Sequence, residues 1–143
     1  MARANEFARR MNRLSRQIPE RIAKRTNKLA LAVQRELVMT TPVDTGQAIS
    51  NWTLTLGSPT TGVYSPYAPG EHGSTRQLNI GAAYSQAMYA IGDRKPGQVI
   101  WISNPLHYIG LLNLGSSAQA PSGFVQSAIM VGIGSVSGIR VLR

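Results

Sequence analysis

The chain has no cysteine, which excludes disulfides and thiolate metal sites and fits assembly in a reducing cytosol. Acids are scarce, six in 143 residues, and the two histidines, His72 and His107, show no ligand spacing with them, so neither a metal centre nor a hydrolytic triad can be composed. No catalytic residue is assigned and no cofactor is expected. Aromatics make up only 6%, so an aliphatic and alanine core is expected with Trp52 and Trp101 as its largest pieces. No run approaches the ~18 apolar residues of a membrane span, and the N-terminus lacks the apolar stretch of a secretory signal. Its Arg-rich start has the composition of a transit peptide, but the apolar stripe continues to Val38, so the segment reads as part of the fold.

What is present is unevenly placed. Of a net charge of +9, residues 1 to 40 hold ten Lys and Arg against Glu6, Glu20 and Glu36, and the rest is nearly balanced. In the same segment Phe7, Met11, Leu14, Ile18, Ile22, Leu29, Val33 and Leu37 recur at helical spacing. Pro19 removes a donor inside that pattern and predicts a kink or two helices. Thr41-Pro42 ends the element. The bases Arg9, Arg10, Arg13, Arg16, Arg21, Lys24, Arg25 and Lys28 could neutralise phosphates. With no aromatics interleaved, a solvated face or one that meets an acidic protein surface is the preferred reading.

Asp44-Thr45-Gly46 matches the triplet of aspartic proteases, yet one copy would need a dimer to supply the second carboxylate. Capping and turn formation is the simpler role. Asn51 to Leu56 alternates as a half-buried strand with Trp52, Leu54 and Leu56 on one face. Residues 57 to 75, dense in Gly and Pro, predict a long loop that needs a partner to become ordered, with Tyr64 and Tyr67 as its interface anchors. A second helix is expected from Leu78 to Ile91, begun near Ser74 or Thr75 and closed by Gly92, then a strand from Gln98 to Ser103. Asn104-Pro105 ends that strand, Gly115 closes a short helical turn through Tyr108 and Leu112, and Pro121 opens a C-terminal helix to Val131. The tail 132–143 predicts a flexible segment, a strand or an extended arm. Its Gly132, Gly134 and Gly138 miss the spacing of a dinucleotide loop.

The order Asn104, Tyr108, Leu112, Gly115, Ser117, Gln119-Ala120-Pro121 and Gly123, with Pro42-Val43-Asp44-Thr45-Gly46 directly after a long basic helix, resembles the tail-completion or neck proteins of long-tailed bacteriophages. Asn113 stands near where relatives often have Glu. The resemblance implies a virion structural protein, assembled in the host cytoplasm, that forms a ring, six-fold, joining tail to head. Its partners would be copies of itself and other neck and tail proteins, with DNA passing through unread and no membrane. The matched positions Asp44, Thr45, Gly46, Asn104, Tyr108, Gly115, Ser117, Gln119, Pro121 and Gly123 would then serve the interfaces. The basic helix would supply one complementary patch, and the 57–75 loop and the Gly115–Pro121 turn parts of others. A tail terminator differs only in its neighbours. A small basic nucleic-acid-binding protein is the reading from another class. The expected fold is α+β: one domain with a basic helical arm (1–41), an α+β core (42–131) and a tail (132–143), its helices packed on a small antiparallel sheet.

Overall fold

A computed structural model describes residues 1–137. The order is α1 (Ala2–Thr40), α2 (Gln47–Ser50), β1 (Thr53–Leu56), α3 (Arg76–Gly92), β2 (Ile100–Ser103), α4 (Ile109–Asn113) and α5 (Phe124–Val136). The fold is α+β, with one long N-terminal helix, shorter helices and a two-stranded antiparallel sheet.

The helix α1 runs unbroken through Pro19, where the sequence predicts a kink or two helices. Pro19 and Ser15, whose carbonyl would have received the missing N–H, are both exposed, so water can satisfy that carbonyl. Only the last third of α1 is in the core: Ala30, Gln34, Leu37 and Val38 are buried, whereas residues 1–13 are exposed throughout. The division between arm and body therefore falls inside α1, not at residue 41. The first hydrogen bonds from the body reach α1 near Ala23, where Arg94 Nη1 donates to Asn27 Oδ1 (2.9 Å) and to the Ala23 carbonyl (3.5 Å). At about 1.5 Å per residue, the helix ahead of Ala23 spans roughly 30 Å.

Strands β1 and β2 pair Thr53 with Ser103 through Leu56 with Ile100. Leu54 is fully buried and Leu56 partly so, and Trp52, just outside the strand, is 6% exposed. Trp101, in contrast, is 41% exposed; its indole N–H donates to the Gly57 carbonyl at the sheet edge instead of filling the core. Around Trp52 pack Leu37, Val38, Val43, Ile49, Ala83 and Ala128, drawn from α1, α2, α3, α5 and the turn between α1 and α2. A neighbouring cluster joins Ala30, Leu54, Ala87 and Ile91. The inward face of α3 recurs every fourth residue, at Asn79, Ala83, Ala87 and Ile91.

The C-terminal helix begins at Phe124, not Pro121, and continues to Val136 across the segment expected to be a tail. Residues 138–143 lie outside the described residues. Gly132 explains the continuation: it is buried where α5 crosses α1, and a Cβ there would sit 2.7 Å from Val33 Cα. Two helices approach backbone to backbone because this position has no side chain. Gly132→Ala should therefore lower stability by about 1–3 kcal/mol through overpacking. On the same helix a Cβ at Gly134 would meet nothing within 4 Å, so Gly134→Ala should raise it by about 0.5–1 kcal/mol. Urea unfolding of the two variants checks the opposite signs.

Candidate assembly interface

The Asp-Thr-Gly turn is built by local chemistry. Thr41 leaves the helix in an extended conformation (φ −65°, ψ 130°), as the following proline requires. Its hydroxyl donates to the Leu37 carbonyl (2.6 Å) and accepts the Trp52 indole N–H (2.8 Å). Arg76 donates to the Thr41 and Met39 carbonyls and so caps the end of α1 with a cation. Asp44 Oδ1 accepts the His72 N–H (2.8 Å), and the Asp44 carbonyl accepts that of Gly73 (2.9 Å). Thr45 Oγ1 accepts the Gln47 N–H at 3.4 Å, opening α2, a short helix that the residue pattern does not announce. Gly46 has φ +92°, and a Cβ on it would fall 2.2 Å from Asn79 Nδ2. Backbone geometry and space both demand glycine here.

The second matched stretch folds against this turn. Asn104 Nδ2 donates to the Ala48 carbonyl (2.9 Å) while its Oδ1 accepts the Leu106 N–H (3.2 Å). The Tyr108 hydroxyl reaches Gln47 Oε1 at 3.3 Å. Gln119 closes the joint: its Oε1 accepts the Val43 N–H (2.8 Å) and its Nε2 donates to the Val43 carbonyl (2.9 Å). Ser117 Oγ accepts the Gln119 N–H (3.2 Å) and sets the loop for that contact. Gly115 (φ +95°) turns the chain after α4, and Gly123 (φ +78°) precedes α5. Asn113 Oδ1 accepts the Val125 N–H (2.9 Å) and its carbonyl the Gly123 N–H (2.7 Å), so Asn113 caps α5 from outside the helix. A carboxylate could accept the same bond. Pro121 is exposed, two residues ahead of the Gly123 cap position.

Two stretches more than 50 residues apart thus become one joint, with an open groove between Pro42, Thr45, Gln47, Tyr108, Leu112 and Ser117. Burial raises the Tyr108 pKa above its ordinary 10.0.

The loop 57–75 is ordered by this chain itself, whereas its composition predicts that a partner is needed. Asn51 accepts the Tyr64 N–H and donates to the Tyr64 carbonyl, both at 2.8 Å. Asn79 does the same for Ala68, at 2.9 and 2.8 Å. Ser50 Oγ accepts the Tyr67 N–H, and Thr75 donates to the Ala68 carbonyl. The two tyrosine side chains stay about half exposed, Tyr64 at 51% and Tyr67 at 47%. Partial burial, and secondarily Tyr64, raises the Tyr67 pKa. Asn79 belongs to no motif in the sequence, and Asn51 stands out there only as the start of the expected strand. A signal for Asn79 exists all the same: a polar residue on the inward face of α3, between Leu78 and Ile80.

Arg9, Arg10, Arg13, Arg16, Arg21 and Lys24 are exposed along α1, with Arg25 partly covered. Apolar residues stand exposed beside them, Phe7 at 66% and Met11 at 49%. Among the described residues no three His, Cys, Asp or Glu side chains are grouped to hold a metal ion, and no helix is long and apolar enough to cross a membrane.

No known protein family, curated protein or solved structure matches the chain. Its geometry and its residues carry the functional reading.

Gln119→Leu removes both bonds to Val43 and should cost about 1–3 kcal/mol, with faster hydrogen exchange at the Val43 amide. Alkaline pH provides a second check. The raised Tyr108 pKa means that the unfolded state loses its proton first, so stability is full below pH 10.0 and falls as pH rises through the folded value. Tyr108→Phe should flatten that fall in thermal melts.

Proposed function

We propose that this chain is a structural protein of the phage neck, which forms a ring at the top of the tail, completes it and joins it to the head. The observation that carries the reading is the joint itself. The two stretches that resemble neck proteins lie in one hydrogen-bonded unit at the base of a projecting basic helix. A ring needs two different patches on each subunit whose rotation closes. The body offers a groove at the joint and the half-exposed Tyr64 and Tyr67 on a fixed loop. Large aromatic area held at small entropic cost suits such a contact. The helical arm extends beyond the body to reach a neighbouring component. A six-fold ring and a place in the virion follow from the same resemblance, and a tail terminator would use the same surfaces with other neighbours.

The exposed arginines also favour a second reading, a small basic protein that binds nucleic acid through α1. Titration of duplex DNA at two salt concentrations separates the two. The second reading requires tight binding with a steep salt slope, and the neck reading requires weak binding. Negative-stain images of the purified protein at high concentration should show annular particles. Reversing the charge at Arg9, Arg13 and Arg16 should leave the unfolding midpoint unchanged and reduce incorporation into tails. Normal incorporation of that variant would remove the arm from the proposal.

A further inference from the structure

The projecting part of α1 has a narrow apolar seam. Phe7, Met11, Leu14 and Ile18 follow one another at steps of four, three and four, the heptad alternation, and Ile22 extends the line. At about 100° per residue these five stay within roughly 80° of one another, the narrow stripe of a coiled-coil seam and less than the ~100° face of a helix packed on a core. Phe7, Met11 and Ile22 are 66%, 49% and 51% exposed and Leu14 and Ile18 partly so, and among the described residues the body leaves the seam open to a partner. Arg10 and Arg21 border one side of it, and Pro19 lies off it on the uncharged side.

Charge decides what fits there. Residues 1 to 40 carry +7, so a second arm laid along the first would repel it. The rest of the chain offers Asp44, Glu71 and Asp93 as its only acids, and Asp44 already accepts the His72 N–H. Five bases in the same segment outnumber these three acids, so another copy of this body carries no net negative charge to match the arm. Nucleic acid would take the arginines and leave Phe7 and Met11 in water.

We infer that the arm docks an acidic amphipathic helix of a different protein, its apolar residues in the Phe7–Ile18 seam and its carboxylates against Arg10 and Arg21. This deepens the assembly reading, on which it rests for the arm's role as a contact, and assigns the arm's partner as a chain other than this one.

The test uses the full chain and a fluorescent synthetic heptad peptide with Leu at the core positions and Glu at the flanking ones. Binding should weaken roughly tenfold when Gln replaces the flanking Glu, and by as much in the Leu14→Asn variant. It should also weaken as salt rises from about 0.05 to 0.5 M. An unchanged circular-dichroism melt shows that the variant is folded. Equal or tighter binding of polyglutamate, duplex DNA or phosphatidylserine vesicles would overturn the inference, as would full binding by Leu14→Asn. Ring formation is scored separately on Leu14→Asn with Ile18→Asn. If the wild type forms rings and the double variant does not, the arm joins copies and the inference fails. If neither forms rings while the peptide still binds, the inference stands and the ring reading falls.

Discussion

Side-chain carboxamides paired with single peptide units hold this body together. Asn51 with Tyr64, Asn79 with Ala68, Gln86 with Leu54 and Gln119 with Val43 each exchange one donor and one acceptor with one residue's backbone. An amide side chain presents the same two groups as a neighbouring strand, so each pair stands in for a rung of a ladder that the two-stranded sheet cannot extend. Gln86 closes the free edge of β1 in this way from α3. The net gain per bond is only about 1 kcal/mol, but a buried peptide group left unpaired costs more, so the pairs matter most for what they prevent. Gln34 is the incomplete case: its Nε2 donates to the Trp52 carbonyl, and its buried Oε1 has no partner among the described residues.

This device explains how a chain poor in charge and without disulfides fixes a 19-residue loop. Ordering so long a segment costs backbone entropy at every residue, and no helix or sheet repays it locally. The repayment is placed at a few points, Tyr64, Tyr67 and Ala68, by Asn51, Ser50 and Asn79, all fully buried. The loop thereby becomes a fixed surface and not a strand of coil. The arm is the reverse: charge on a helix with few tertiary bonds.

The elements whose signals are periodic were legible in the sequence. Leu37 and Val38 mark the buried face of α1, Gly92 ends α3, Leu54 faces the core from β1, and the short helix before Gly115 lies where its turn residues put it. What escaped depended on each residue's surroundings in the fold. Pro19 is tolerated because its turn of helix is in water, which no local rule reveals. Trp101 lies at an edge, where its indole bonds to Gly57. Pro121 marks a turn because Asn113 caps the helix three residues later. The joint was legible as two separate stretches only; that Gln119 would close on Val43, 76 positions away, has no signature in either.

The crowding of Gly46 against Asn79 has a wider consequence. Asn79 Oδ1 also accepts the Ser50 hydroxyl, and that hydroxyl in turn receives the Tyr67 N–H. One added carbon at position 46 would displace the amide and with it the shared hydrogen-bond node beneath the loop. The tolerance of the turn to evolutionary change is therefore tied to the shape of a surface twenty residues downstream, and the two segments can drift only together.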